Sequence, residues 1–546
     1  MSASDKKQLR KELQNEMLTA RQREEQAEAK KLKAYTVTFI AIMVAVFVIA
    51  IGSLIFNGVE SSGVYQRNTI AATVNGEELN AVELNYYYSD AVSQLYAQAY
   101  EQYSYYYELF FDAMGLDVTK PLNEQNNPET NDTWANYFIN AGLDNAKRDY
   151  TLEKLAKENN FELTGEALDA LNTQLTNMDS NAKLNGFSSA DNYLRAVYGV
   201  GSDMESYKTY LTRMALADAY YQDHYDALTY DEAKIEEHAK DKVNNYNAYD
   251  YSYVYVSYTD FLNDAEEDEE GTTTYTEEQK SAARAEAKKM ADRLYALGNL
   301  DDIRDEVGKI EEVDLEINDY TNDLHTNINK PIAEWLAGAD RKAGDVALLE
   351  NTSVAEEGEE PTVNGYYVVC FTKRNDNTAK MSNVRHLLVQ FEGGKEDEIS
   401  GEMVYTVEEK EAAKAEAEAL LQQWKDGAAT EESFAELVKE KTDDTGSKET
   451  GGLYEDINAG SQYVPNFLSW SINPARQAGD VDIVETEYGY HIMYFTGYSE
   501  QSYRDSLITE ELKAADMETW YDGIMETATA SALDLSKTKL DLVISG

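Results

Sequence analysis

Hydrophobic positions are distributed in three different ways along this chain, and each predicts a different kind of structure. Residues 36–56, TVTFIAIMVAVFVIAIGSLIF, carry no charge. Residues 84–245 place apolar and aromatic side chains at helical spacing, as in LNYYYSDAVSQLYAQAY. Residues 251–258 and 384–391, YSYVYVSY and VRHLLVQF, are short apolar runs typical of strands. The pattern therefore predicts a membrane segment, a helical region and a region of mixed helices and strands.

The uncharged segment is long enough to cross a membrane, since about 20 apolar residues span the hydrocarbon layer. Lysines cluster just before it, in EAKKLKAY, and the next basic residue after it is Arg67. The positive-inside rule then places the N-terminus in the cytoplasm and the rest outside. The run is too long for a signal-peptide core and lacks an A-x-A cleavage pattern. We expect an uncleaved anchor in the cell membrane, with the bulk of the chain extracytoplasmic and away from ATP.

Composition excludes several classes of function. The chain has 48 basic and 102 acidic residues, a net charge of −54, which argues against nucleic acid as a partner because phosphates require clustered basic side chains. The single cysteine, Cys370, excludes a disulfide framework and is expected to be a buried strand thiol. HExxH, P-loop and GxGxxG motifs are missing from the sequence, so we expect neither a metal, a cofactor nor a nucleotide.

The mixed region contains an internal repeat with a period of about 130 residues. Four blocks match in the same order: 251–258 with 384–391, 275–298 with 405–427, 334–350 with 469–485, and 364–371 with 488–495. Each copy reads as a strand, a long helix, a further helix, an AGDV turn and two closing strands. This order predicts two copies of one α+β fold around a small antiparallel sheet.

The two copies differ where chemistry is expected. His386 opens the first predicted strand of the second copy, and His491 opens the last; their counterparts in the first copy are Tyr253 and Tyr367. A single strand histidine is usually a satisfied core residue, but two that are lost together favour a functional pair. The second copy also has a loop, DDTGSKETGG, that the first copy lacks.

Five separated blocks of the second copy resemble a parvulin-type peptidyl-prolyl isomerase domain over residues 380–498: VRHLLV, FAELVKEKTDDTGSKETGG, YVPNF, AGDV and TEYGYHIMYF. The whole layout is similar to the extracytoplasmic foldases PrsA and SurA, in which N- and C-terminal segments build a helical chaperone part around parvulin domains. The resemblance implies a catalytic network of His386, Asp444 and His491. It also implies substrate-binding positions at Tyr463, Phe467 and Tyr488. The family's usual GGDLG is GGLYED here.

These inferences predict a multidomain α+β protein with one N-terminal transmembrane helix. The predicted parts are a cytosolic tail (1–33), an anchor (34–58), a helical chaperone domain (59–245), a degenerate parvulin-like domain (246–376), a parvulin-type isomerase domain (377–500) and a C-terminal helix packing on the chaperone domain (501–546). The expected activity is cis/trans isomerisation of X–Pro bonds in unfolded or exported polypeptides.

Three alternatives remain open at this point. Both parvulin copies can be inactive binding modules of a holdase or assembly scaffold. A His/Asp hydrolase would combine Ser461 or Ser469 with His491 and Asp444, although no GxSxG elbow supports it. A wall- or substrate-binding lipoprotein would need a lipid-bearing cysteine after the apolar segment, and the sequence has none there.

Overall fold

The structure is a computed structural model that describes residues 63–103, 107–262, 266–267, 273–353, 361–397, 401 and 403–544. The predicted cytosolic tail and membrane anchor lie outside these residues. Among the helices that are described, none combines the length and apolarity needed to cross a membrane. The described residues divide into two compact units, one containing residues 63–229 and 512–544 and the other containing residues 230–511. The finer division into domains stays a prediction.

The first unit is mainly helical. Its N-terminal elements are α1 (Val64–Asn68), β1 (Ile70–Val74), β2 (Glu77–Asn80), α2 (Ala81–Tyr103), α3 (Tyr107–Ala113), α4 (Trp134–Glu158), α5 (Gly165–Leu184), α6 (Ala190–Tyr198) and α7 (Met204–Ala227). The core is rich in tyrosine: Tyr86 stacks on Tyr210 with ring centroids 5.1 Å apart and meets Tyr198 edge-on at 4.8 Å. Tyrosine rings thus fill the space between these helices.

The second unit contains two four-stranded antiparallel sheets. The first sheet and the elements around it comprise α8 (Glu232–Ala239), β3 (Ala248–Ser257), β4 (Glu266–Glu267), β5 (Thr273–Thr274), α9 (Glu277–Tyr295), α10 (Leu300–Val307), β6 (Ile317–Leu324), α11 (Lys330–Leu336), β7 (Val346–Thr352) and β8 (Val363–Asn375). The second sheet and its helices comprise β9 (Lys380–Gln390), β10 (Lys395–Glu396), β11 (Met403–Val404), α12 (Val407–Asp426), α13 (Glu431–Lys441), β12 (Leu453–Ile457), α14 (Pro465–Ser471), β13 (Val481–Glu485) and β14 (Gly489–Ser502).

The two sheets have the same topology and the same register. Their strand orders are β6-β3-β8-β7 and β12-β9-β14-β13. Tyr253 lies opposite Val369 in the first sheet, as His386 lies opposite Met493 in the second. The long helices α9 and α12 both begin with a capping box, built on Thr276 and Thr406, because the YTEEQ and YTVEE sequences place a side-chain acceptor at the third helical position. The mixed α+β architecture expected from the sequence is confirmed.

The chain returns to the helical unit at its C-terminus. Helix α15 (Tyr503–Met525) is followed by β15 (Ala530–Ala532), which pairs antiparallel with β1, Ala72 opposite Ala532. Leu542 and Ile544 join the core of the helical unit. Residues 537–544 do not form the strand that KTKLDLVISG predicted; these two apolar side chains are buried individually instead.

Three further predictions were wrong in detail. The helix expected over 204–245 is interrupted after Ala227, because Asp231 caps a new helix by accepting from the backbone of Lys234. Each sheet has a fourth strand, β6 or β12, that the sequence did not indicate. Both are edge strands: β6 reads INDYTNDL, without regular alternation of apolar and polar residues, and β12 is only five residues long, so neither gives a clear strand signal. His386 does not open its strand but lies well inside β9.

Cys370 is a buried strand thiol, as expected. It lies in β8 with 3% of its surface exposed and packs in the core between the first sheet and its long helix. Burial raises the pKa of the thiol to about 11, so it is neutral and unreactive at physiological pH.

Candidate active site

The site is built on the face of the second sheet opposite its long helix α12. Successive strand side chains alternate between faces, so Leu387 and Ile492 pack under the helices while Val384 and Met493 face the other way. His386 and His491 share this second face, on the neighbouring strands β9 and β14. Their Nδ1 atoms are 3.0 Å apart and their ring centroids 5.1 Å. Both imidazoles are buried, with 3% and 5% of their surfaces exposed.

Asp444 reaches this pair from the loop that follows α13. Thr442 holds the loop against the sheet because its hydroxyl accepts from the backbone N–H groups of Leu388 and Asp444. The Oδ2 atom of Asp444 then lies 3.0 Å from Nε2 of His386. Ser447 donates its hydroxyl to the same oxygen, and the N–H of Gly446 donates to Oδ1 at 3.0 Å. The loop DDTGSKETGG thus delivers a carboxylate whose two oxygens are both engaged.

The electrostatics of Asp444 favour the carboxylate. Burial alone would raise its pKa, but the hydrogen bond and the charge attraction of His386, together with the donors Ser447 and Gly446, outweigh burial and hold the pKa well below its usual range. Asp444 is therefore an acceptor at every physiological pH. It orients His386 by requiring a proton on Nε2.

For His491, in contrast to Asp444, the surroundings favour the neutral form. Burial lowers its pKa to about 3, and the repulsion that a charged His386 would exert acts in the same direction, against a weaker attraction to Asp444. His491 is therefore neutral near pH 7. Its Nε2 lies 2.9 Å from the hydroxyl of Thr486, which also accepts from the N–H of Tyr488. Thr486, His491, His386 and Asp444 form one continuous hydrogen-bonded chain.

Aromatic rings lie against the two imidazoles. Phe467, from the short helix α14, meets both histidine rings edge-on at 5.3 and 5.4 Å. Tyr463 packs on Phe467 at 5.2 Å. Pro465 begins α14 at a position where the missing N–H costs nothing, because that group would have no partner within the helix. The structure thus brings together five of the six predicted site residues.

Tyr488 is the sixth predicted residue and lies at the edge of the site. Just over half of its surface, 52%, is exposed. Its link to the histidines is indirect, since its backbone N–H donates to the Thr486 hydroxyl that contacts His491. The roles assigned to all six residues stay predictions.

The serines of the hydrolase alternative are engaged elsewhere. Ser461 accepts from the backbone N–H of Asn458, and Ser469 donates to the carbonyl of Asn466. Both ring nitrogens of His491 are used, by His386 and by Thr486. The structure therefore does not assemble a Ser-His-Asp arrangement around His491.

Three polar site residues were missed from the sequence: Ser447, Thr486 and Tyr454. Ser447 lies within the DDTGSKETGG loop, so the loop itself was a signal. Tyr454 donates its hydroxyl to Asp444 over 3.2 Å and lies on β12, a strand that was not predicted. Thr486 could not be identified from the sequence, because a threonine before a turn is ordinarily explained by its hydrogen bonds to the backbone of the turn. In the part of the chain that is described, no group of three or more His, Cys, Asp or Glu could hold a metal ion.

The segment that carries this site matches a known protein family. Residues 386–497 match the family described as Rotamase, PPIC-type PPIASE domain. They are therefore a peptidyl-prolyl isomerase domain of the PPIC (parvulin) type, and the resemblance seen in the sequence is confirmed for this segment.

The relatives with similar sequence are foldases. The foldase protein PrsA of Clostridium botulinum (strain Langeland / NCTC 10281 / Type F) is 45% identical over 64 residues, and that of strain Okra / Type B1 is 42% identical over 64 residues. Each match covers 11% of this chain and 18% of the relative. The chain thus spans less than a fifth of the length of these curated relatives.

Solved structures of PrsA proteins are also similar to this chain. PrsA from Bacillus subtilis has 13% identity and a TM-score of 0.26, covering 78% of this chain and 98% of that chain. The peptidylprolyl isomerase PrsA from Bacillus anthracis has 20% identity and a TM-score of 0.17, covering 28% of this chain and 59% of that chain.

Proposed function

We propose that the second sheet domain catalyses cis/trans isomerisation of X–Pro bonds in polypeptide substrates. The observation that carries the proposal is the buried pair of His386 and His491, joined to Asp444 and lying against the aromatic ring of Phe467. This arrangement offers one apolar side and one polar side to an X–Pro unit. The proline ring packs against the aromatic side chains, and the amide lies towards the histidines.

The chemistry requires no covalent bond to the substrate. An X–Pro amide rotates over a barrier of about 18–20 kcal/mol because its C–N bond has partial double-bond character. A site lowers this barrier by binding the twisted amide better than either planar form. Twisting reduces charge separation in the amide, so a site that excludes water favours the twisted state. Each reduction of about 1.36 kcal/mol accelerates rotation tenfold.

The chain as a whole is proposed to be a membrane-anchored extracytoplasmic foldase that acts on exported proteins. The uncharged segment 36–56 and the lysines before it support anchoring with a cytoplasmic N-terminus. The helical unit would supply chaperone activity. Protease added to intact cells should then digest residues beyond 58 and spare an epitope tag at the N-terminus; digestion of the tag would contradict this orientation.

The first sheet domain is proposed to be a degenerate parvulin-like copy. Its strand order and register support this, as does the position of its ring pair: Tyr253 and Tyr367 have centroids 5.4 Å apart where the second copy has its histidines. Ile332 occupies in α11 the place that Phe467 occupies in α14. With these substitutions the first copy has no imidazole pair, so we expect it to lack isomerase activity.

A non-catalytic holdase is the second candidate. The observation that favours it is the closeness of the aromatic rings: Phe467 has 3% of its surface exposed, and both Tyr454 and Tyr463 pack on it. If these rings do not separate to admit a proline side chain, the domain binds polypeptide without isomerising its X–Pro bonds.

An isomerisation assay on the full chain separates the two candidates. The rate of cis-to-trans conversion of an X–Pro peptide is measured for the wild type, His491→Ala and His224→Ala. The last is a matched control, because His224 stacks on Trp520 in the helical unit. We expect catalysis by the wild type and the control and a loss of at least about tenfold in His491→Ala. A wild-type rate equal to that in buffer would exclude the isomerase and leave the holdase.

A further inference from the structure

Tyr454, on the edge strand β12, contacts both the hydrogen-bonded residues and the aromatic residues of the site. Its ring meets the imidazole of His386 edge-on, with centroids 4.8 Å apart and an interplanar angle of 76°. It also lies 5.9 Å from the ring of Phe467 and 5.4 Å from that of Tyr463. Its hydroxyl oxygen is 3.2 Å from Oδ2 of Asp444.

We infer that Tyr454 is a positioning residue for the His386–Asp444 pair and, through its ring, a third aromatic wall of the proline site beside Tyr463 and Phe467. The inference rests on the proposed isomerase function and deepens it, because it assigns a residue to both the polar and the apolar side of the same site.

The hydroxyl acts through Asp444. One carboxylate oxygen, Oδ2, receives His386 Nε2, the Ser447 hydroxyl and the Tyr454 hydroxyl. A carboxylate is an acceptor only, so the phenol must donate, and the three donors fix the rotation of the carboxyl group. A fixed carboxylate holds the His386 ring against His491. Removing the phenol leaves Oδ2 with two donors instead of three and so weakens the constraint on the His386–Asp444 hydrogen bond.

The ring acts on the substrate side. Tyr454, Tyr463 and Phe467 approach one another from β12, the loop after it and α14, so three rings pack together beside the imidazoles. Faces of electron-rich rings attract the C–H groups of a proline ring. In the first copy, Tyr320 of β6 faces the corresponding strand but stacks flat on Tyr251 at 5.0 Å and 8°. There the ring completes a tyrosine stack rather than standing edge-on to an imidazole.

Two substitutions separate the hydroxyl from the ring. Tyr454→Phe removes the hydroxyl alone, and we expect kcat on an X–Pro peptide to fall about fivefold with KM nearly unchanged. Tyr454→Leu also removes the ring, and KM should then rise several-fold. The matched control is Tyr490→Phe, which deletes a phenol that donates to Glu485 at 3.1 Å on the opposite face of the sheet. Its kcat and KM should equal those of the wild type.

A second measurement does not depend on activity. In the full chain labelled with ¹⁵N at histidine alone, the Nε2–H signal of His386 should move in Tyr454→Phe and stay in place in Tyr490→Phe. An unmoved His386 signal in Tyr454→Phe overturns the positioning role, whatever the kinetics. A moved signal in a chain whose wild type does not isomerise supports the positioning role and overturns the proposed function instead. Equal kinetics for Tyr454→Phe and the wild type overturn the catalytic consequence.

Discussion

The Nδ1 atoms of His386 and His491 lie 3.0 Å apart, so one ring donates a proton to this contact and the other accepts it. Asp444 requires a proton on Nε2 of His386. If His491 donates, both imidazoles are neutral and Thr486 donates to Nε2 of His491. If His386 donates instead, it is an imidazolium facing the carboxylate, and Thr486 accepts. The second arrangement holds one proton more than the first, so conversion between them requires uptake or release of a proton.

The carboxylate of Asp444 should matter more than any other charge near the histidines. Asp444→Asn presents an amide that can turn its NH₂ towards His386 Nε2–H, where two donors would meet. We expect kcat/KM on an X–Pro peptide to fall by about tenfold or more. The neighbouring Asp443 accepts from the backbone N–H of Gln390 at 2.9 Å, a bond that asparagine can also accept. Asp443→Asn is therefore the control and should retain its activity; an equal loss in both variants would argue against the network.

Stability of the isomerase domain should depend on His491 in mild acid. The unfolded histidine has its ordinary pKa near 6.5, whereas burial lowers the folded pKa to about 3. Between these values the unfolded chain binds the extra proton, so the free energy of unfolding falls as the pH falls. From pH 7 to 4.5 the loss is on the order of 2–3 kcal/mol. The depressed pKa of Asp444 adds a loss below pH 4.

Hydrogen exchange in urea can measure this dependence locally. Peptides covering residues 384–391 and 489–495 report on β9 and β14, and their protection is followed from pH 7 to 4.5 after correction for intrinsic exchange. His491→Gln cannot bind the proton, so its stability should be lower at pH 7 but much flatter with pH. A wild-type curve as flat as that of His491→Gln would contradict burial as the cause.

Much of this architecture could be predicted from the sequence because the repeat is strong. Blocks such as AGDV and the two closing strands recur in both copies, and equal sequence spacing gave equal register: Val346 lies opposite Cys370 as Val481 lies opposite Tyr494. The pairing of His386 with His491 followed from the same comparison. The break after Ala227 was missed, since the sequence that follows Asp231, EAKIEEHAK, is also compatible with a continuing surface helix.

The polar half of the site was harder to predict for a physical reason. Tyr454 contributes a hydrogen bond to Asp444 and Thr486 contributes one to His491, and neither partner lies at a periodic spacing along the sequence. Such contacts leave no periodicity. The edge strand β12, which carries Tyr454, has only five residues, LYEDI, a run too short for an alternating pattern to identify it.

Gly452 should be required for the position of His386. Its φ is +73°, and a Cβ at this position would collide with the backbone oxygen of His386, whose N–H donates to the Gly452 carbonyl. Gly452→Ala should therefore cost roughly 3 kcal/mol or more of unfolding free energy, from backbone strain and the clash together. Gly479 also has a positive φ, +93°, but a Cβ there meets nothing within 4 Å.

Gly479→Ala is thus the matched control, with strain and no clash, and should cost only about 1–2 kcal/mol. Denaturant unfolding of both variants gives the difference. The activity of Gly452→Ala should also fall at temperatures where the protein is still folded, because β12 moves away from β9. Equal losses of stability in the two variants would mean that the close approach to His386 is not the reason why glycine is required at position 452.

Substitution of Phe467 should weaken substrate binding in addition to lowering stability. Phe467→Leu removes the edge-on contacts with both histidines and narrows the apolar surface offered to proline, so we expect KM to rise about tenfold and the domain to lose about 1–2 kcal/mol. Phe434 is equally buried, at 0% exposure, but packs on the opposite face with Trp424. Phe434→Leu should cost similar stability and leave KM unchanged. If KM followed stability in both variants, Phe467 would be a core residue rather than the wall of a proline site.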